Sequence, residues 1–222
     1  MKTDPTLAKA LAALAPPGVA IGYRVIAPQD EDALLPEELL GFQTSVLKVR
    51  RQSGAARMVA RGLLDGFGFC TTALSRSTSG SPIWPPGVVG SLSHDETIAI
   101  AAIARTKHYA ALGIDVEPAV PLPLDLARLV ATPKERRRYP ASVTESRILF
   151  VIKESIYKAL NPIDGLFLDF QDIEIDLDTK RGQTRHGRSI EIDFISSPYV
   201  AAISFELAAG WELTGEEVTK IG

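Results

Sequence analysis

The sequence predicts an α+β fold of two similar pseudo-symmetric halves, each with helices packed on a small antiparallel sheet. Three observations carry this. Segments with helical spacing precede a run of short strands, and that order occurs twice along the 222 residues. Two apolar strands, Ile98–Ala104 and Val200–Phe205, take equivalent places in the two runs. The length suits one large domain or two small ones, and 45% hydrophobic with 23% charged residues is ample for a packed core. The boundary is predicted near residue 119, giving halves of 1–118 and 119–222.

The elements follow in order. Thr6–Leu14 reads as a helix stopped by Pro16 and Pro17, and Val19–Ile26 as a short strand. Pro36–Val46 reads as a helix with Glu37 and Glu38 in its first turn, where the dipole favours acids. Arg50–Phe67 reads as a second helix, with Met58, Val59, Leu63 and Leu64 on its core face and Arg57 and Arg61 one turn apart. Ser75–Gly87 is a loop dense in Ser, Pro and Gly. Val88–Ser93, Ile98–Ala104 and Tyr109–Val116 then read as a three-strand meander. In the second half Leu122–Val130 is helical, and Thr132-Pro133 is an N-cap followed by proline at the first helical position. Val143–Leu160 is the longest helix, with Ile148, Ile152, Ile156 and Leu160 as its apolar stripe and Asn161-Pro162 as its stop. Asp172–Leu177, Ser189–Ile195 and Tyr199–Leu207 close the chain as strands.

Composition excludes several classes. A net charge of −3 sets up no global field for nucleic acid or an acidic membrane. Cys70 is alone, so there is neither a disulfide framework nor a cysteine metal site, and a reducing, cytoplasmic setting is expected. The alanine-rich N-terminus is too short and too interrupted for a membrane span, and it lacks the pattern of a signal peptide.

Chemistry concentrates in two stretches. Gly113-Ile-Asp-Val-Glu-Pro118 ends an apolar strand with Asp115 and Glu117 on one face, since residues i and i+2 of a strand point the same way. Taken alone, the pair reads equally as exposed acids at a strand end. Phe150-Val-Ile-Lys153-Glu154-Ser-Ile-Tyr157-Lys158 adds a third carboxylate and two ammonium groups on one helix. Three acids suit a hard divalent ion, and lysines suit the phosphates it would carry.

These stretches, with Trp84-Pro-Pro-Gly-Val-Val-Gly-Ser-Leu-Ser-His94 upstream, resemble the 4'-phosphopantetheinyl transferase superfamily, in the subgroup that includes the enterobactin synthase transferase component. The three motifs span residues 84–158. The resemblance implies two halves with the active site between them. It implies a magnesium-dependent transferase, manganese being a possible substitute, that moves the 4'-phosphopantetheine group of coenzyme A to a serine of an acyl or peptidyl carrier protein. Such enzymes serve siderophore or secondary metabolite synthesis, and a monomer is expected.

By the same resemblance Asp115, Glu117 and Glu154 are the metal carboxylates. Glu154 and Lys158 are the catalytic pair, Glu154 as general base directly or through a water. Arg57, Arg61, Ser93, His94, Lys153 and Lys158 hold coenzyme A. The family's further basic position falls on Val49 here, so Arg50 is a substitute, and Arg76 a substitute for the basic residue missing from Ser79–Pro82. Two other readings stay open: a non-catalytic coenzyme A-binding module and a divalent-metal phosphohydrolase. A basic run, Arg128, Lys134, Arg136, Arg137 and Arg138, reads either as a solvated surface or as a dock for an acidic carrier.

Overall fold

The structure, a computed structural model, describes residues 4–139 and 143–213. Two sheets lie face to face between helices. In the first, β3 (Ile98–Arg105) runs antiparallel between β1 (Ala20–Val25) and β2 (Val88–His94). Ala99, Ala101 and Ile103 of β3 pack on α3 (Leu47–Gly66) through Ala55, Ala56, Ala60 and Leu64. Its alternate residues Ile98, Ile100, Ala102 and Ala104 face the second sheet.

That second sheet has five antiparallel strands in the order β4 (Tyr109–Pro118), β8 (Tyr199–Leu207), β7 (Ser189–Ile195), β6 (Arg181–Thr184) and β5 (Ile173–Asp176). On one face Leu112, Ile114, Val116, Ala201 and Ile203 join the core shared with the first sheet and α1 (Pro5–Leu14). On the other, Ala111, Val200 and Ala202 join the core under α6 (Val143–Asp164). Strands covered on both faces need no polar alternation, which is why 98–104, 110–116 and 200–205 are near-continuous apolar runs. β3 and β8 are each flanked on both sides, as their equivalent places in the sequence predict.

The connecting helices follow local chemistry. Asp4 Oδ1 accepts from the amides of Thr6 and Leu7 and so caps α1. α2 (Pro36–Leu39) and α4 (Leu124–Val130) are short. At the start of α5 (Pro133–Arg138), Thr132 Oγ1 accepts from the Glu135 amide at 3.1 Å while Glu135 Oε2 accepts from the Thr132 amide at 2.7 Å. This is a reciprocal capping box.

Several expectations are corrected. β2, β3 and the next strand are not a meander: β4 leaves β3 and pairs with β8, from Tyr109 opposite Leu207 to Pro118 opposite Tyr199. By pairing, β4 belongs to the five-stranded sheet, so the change of sheet falls before it. The helix expected over Pro36–Val46 ends at Leu39 and gives way to a 3₁₀ turn over Leu40–Phe42. Gly41 weakens the helix there, and Phe42 turns inward to 2% exposure under the guanidinium groups of Arg57 and Arg76. Pro162 does not stop α6, which runs on through the proline for two more residues without its amide hydrogen bond. The helix ends at Asp164, before Gly165 at φ +64°. β6 has no apolar pattern to mark it in the sequence, since its inward positions include Gly182; a Cβ there would lie 2.5 Å from Ile156 of α6.

Strand β4 meets helix α6 at close range at Gly113. A Cβ built on it would lie 1.9 Å from the Ser155 carbonyl oxygen and 2.6 Å from the Ala159 nitrogen. The bare Cα of this glycine therefore lets α6 settle on the end of β4. Gly113→Ala is expected to lower stability by about 3 kcal/mol or more, because backbone rather than a movable side chain must yield. Gly62→Ala, with nothing within 4 Å in the middle of α3, is the control and should gain about 0.5–1 kcal/mol. Thermal unfolding of the two variants checks both signs.

Candidate active site

With α6 seated on Gly113, Glu154 and Lys158 flank the contact residues Ser155 and Ala159 and reach the strand end that carries Asp115 and Glu117. All four line one cavity of about 600 Å³, together with Ser93 and His94 at the end of β2. Phe42, Arg57, Arg76 and the Ser79–Pro82 loop also line it. The two motifs, about forty residues apart in sequence, thus meet at one place.

Lys158 Nζ donates to Asp115 Oδ1 at 2.6 Å and to Ser93 Oγ at 3.0 Å, and Ser93 Oγ donates to the same Asp115 oxygen at 2.7 Å. Asp115 Oδ2 is buried and has no partner. Glu117 Oε2 accepts from Arg147 Nη1 at 2.9 Å, and Arg147 Nε donates to the Val120 carbonyl at 3.0 Å. Glu154 forms no ion pair among the described residues. Burial, then the Asp115 charge, push the Glu154 carboxyl above its ordinary range, against Lys158. Glu117 is raised by the same two causes, against Arg147. Burial and the neighbouring Lys158 hold the His94 imidazole below its usual range.

The donor set suits a hard cation: three carboxylates line the cavity, two of them raised by burial and then by the Asp115 charge, and Asp115 itself carries an orphaned oxygen. As they stand, no three carboxylate, imidazole or thiolate groups among the described residues converge closely enough to hold an ion.

The expected coenzyme A residues divide. Arg57, Ser93, His94 and Lys158 line the cavity. Arg57 is 4% exposed and donates to the Leu74 carbonyl; burial lowers its pKa to about 10, so it stays charged at neutral pH. Lys153 is corrected: it lies outside the lining, at 1% exposure, with Nζ donating to Glu135 Oε2 at 2.7 Å and to the carbonyls of Val130 and Phe170. Arg61 is likewise committed elsewhere, donating to both oxygens of the buried Glu38 and to the Ala33 carbonyl. Arg50 does not reach the lining, and its Nε is buried without a partner. Arg76, named as a substitute, does line the cavity.

Sequence reasoning missed Arg147, Glu38 and Phe42. Arg147, Glu154 and Lys158 recur at i, i+7 and i+11, one helical face, and that spacing could have found the first. The partnership of Glu38 with Arg57 and Arg61 spans loops and left no local signal.

The sequence resembles known transferases across both halves. The family model of the 4'-phosphopantetheinyl transferase N-terminal domain matches residues 35–104, and that of the 4'-phosphopantetheinyl transferase superfamily matches residues 111–211. The chain is 39% identical over 164 residues to 4'-phosphopantetheinyl transferase Svp of Streptomyces mobaraensis, covering 70% of this chain and 66% of the relative. To 4'-phosphopantetheinyl transferase Npt of Nocardia iowensis it is 35% identical over 78% of each chain. To 4'-phosphopantetheinyl transferase PptT of Mycobacterium tuberculosis it is 36% identical, over 65% of this chain and 66% of the relative. The matched part thus spans about two thirds of the length of two of these relatives and more of the third. No helix of the described residues is long and apolar enough to cross a membrane.

Proposed function

This chain belongs to the 4'-phosphopantetheinyl transferase superfamily, and from that premise we propose how its residues carry the transfer. The substrate is coenzyme A, and the acceptor is a serine of an acyl or peptidyl carrier protein. The serine Oγ attacks the phosphorus on the pantetheine side. A P–O bond forms, the bond to 3',5'-ADP breaks, and the serine proton leaves to a base. The observation that carries this reading is the meeting of Asp115, Glu117, Glu154 and Lys158 at one end of a cavity walled by Arg57, Arg76 and His94.

Each group has a role set by its surroundings. Arg57 and His94 bind the phosphates, and the desolvated wall strengthens those bonds. Lys158, with a side chain 28% exposed, is free enough to turn from Asp115 to the diphosphate and steady the leaving group. Glu154 accepts the serine proton, directly or through a water. Asp115, Glu117 and Glu154 would hold a magnesium ion, which when bound neutralises diphosphate charge. Most of the rate comes from positioning and electrostatics rather than from covalent chemistry by the protein.

The test is mass spectrometry of an apo-carrier protein after incubation with coenzyme A and magnesium. A gain of one phosphopantetheine group is expected. Hydrolysis of coenzyme A without such a gain would favour a phosphohydrolase, and binding without turnover a coenzyme A-binding module.

Carrier docking is proposed for the basic surface of α4 and α5. Arg136 is structural, donating to the carbonyls of Arg128 and Ala131 at the end of α4, and Arg138 pairs with Asp176 and Asp178. Arg128, Lys134 and Arg137 are exposed and form no ion pair among the described residues. Lys134→Glu with Arg137→Glu should raise the KM for an acidic carrier several-fold and leave that for coenzyme A unchanged. The wild type should lose the advantage as salt rises and the Debye length falls from about 10 Å at 0.1 M to about 3 Å at 1 M. Identical carrier kinetics at low salt would make this an ordinary solvated surface.

A further inference from the structure

Ser93 and Arg147 share a pattern. Each donates to one oxygen of one acid of the β4 pair: Ser93 Oγ to Asp115 Oδ1 at 2.7 Å, Arg147 Nη1 to Glu117 Oε2 at 2.9 Å. In each acid the second oxygen takes no protein donor among the described residues, and Asp115 Oδ2 is buried without any partner. Ser93 is 4% exposed, so its hydroxyl is no loose surface group. A serine hydroxyl has a single proton to give. Here that proton goes to Asp115, while the oxygen accepts from Lys158 Nζ at 3.0 Å. Its donor capacity is used, and none is left for a phosphate oxygen. Arg147 is fixed as firmly. Its side chain is 11% exposed, and its Nε is tied to the Val120 carbonyl just past the strand end.

We propose that Ser93 and Arg147 are positioning residues for a divalent cation: each holds one oxygen of Asp115 or Glu117 so that the other is presented to the ion. This rests on the metal-dependent reading given above and assigns Ser93 to the acid pair rather than to coenzyme A phosphates. Ligating carboxylates are commonly oriented in this way through their second oxygen, and loss of such a partner costs about 10–100-fold in metal affinity. The arrangement also divides the work between elements. Ser93 arrives from β2 of the first sheet and Arg147 from α6, so the strand end is gripped from both sides. Lys158 adds a second donor to the same Asp115 oxygen and leaves Oδ2 bare.

The experiment uses the full chain with manganese alone, free ion being followed by electron paramagnetic resonance. Ser93→Ala and Arg147→Gln are each expected to weaken manganese binding about tenfold with thermal midpoints near that of the wild type. Ser93→Thr and Arg147→Lys should recover part of the loss, which a general packing defect would not do. Calorimetry with coenzyme A in the presence of a chelator is the second arm. There Ser93→Ala should bind within about twofold of wild type. Wild-type manganese affinity in both Ser93→Ala and Arg147→Gln would overturn the proposal. So would a Ser93→Ala protein that keeps manganese but loses coenzyme A without metal, since that makes Ser93 a phosphate contact. If the wild type transfers phosphopantetheine yet the variants bind manganese normally, this inference fails alone. A wild type that neither transfers nor binds manganese takes the functional reading down with it.

Discussion

Asp115→Asn is expected to lower phosphopantetheine transfer at least about a hundredfold while the protein stays folded. The substitution keeps the shape of the side chain and leaves an oxygen that Ser93 and Lys158 can still address. What it removes is the charge, on the one acid that meets Lys158, raises both Glu117 and Glu154, and carries a buried oxygen without a partner. Folding should suffer little. Relief of repulsion with Glu117 and Glu154 offsets the loss of the Lys158 pair, and that lysine is partly solvated. Circular dichroism and the thermal midpoint check the fold, and the mass-shift assay checks the transfer. More than a tenth of wild-type activity in a folded Asp115→Asn protein would take Asp115 out of the chemistry.

Local pattern revealed the parts of this molecule that interact with their own neighbours in sequence. The doubly covered strands β3, β4 and β8 announce themselves as apolar runs, and the Ile148–Leu160 stripe gives α6 its buried face at 8% exposure or less. Asp115 and Glu117 share a face by strand periodicity alone. What sequence could not supply is the choice of partner. β4 lies next to β3 in the chain but pairs with β8, because pairing is decided by which faces remain to be covered. Arg57 and Arg61, one turn apart, look alike in sequence. They differ in the structure because Glu38, from a separate helix, takes Arg61 on both oxygens and leaves Arg57, 3.7 Å away, against the cavity. Gly113 carries no side chain to read, yet its bare Cα sets the distance between the two motifs.

Lys153→Met is the other large expected effect, and it falls on stability. Lys153 and Glu154 are neighbours, but on a helix neighbours diverge by about 100°. Leu149, Lys153, Ile156 and Leu160 recur at i, i+4, i+7 and i+11, so Lys153 belongs to the core face and Glu154 does not. The ammonium is wholly enclosed with Glu135, both side chains at 0% exposure. Burial pushes its pKa down, and the Glu135 charge opposes that shift. Glu135 is itself spent on the Thr132 and Ile175 amides, so one carboxylate joins α5, β5 and α6. Removing the lysine alone strands a buried carboxylate and two carbonyls, a loss of about 3–5 kcal/mol. In a chain of this size that lowers the thermal midpoint by roughly 10 °C, at about 2–4 °C per kcal/mol. Pairing Lys153→Met with Glu135→Gln should recover much of it, because the stranded charge is gone while the caps on Thr132 and Ile175 can persist in part. If Lys153 instead contacted coenzyme A, Lys153→Met would keep its midpoint and lose affinity for coenzyme A. Thermal unfolding beside calorimetry separates the two outcomes in one preparation.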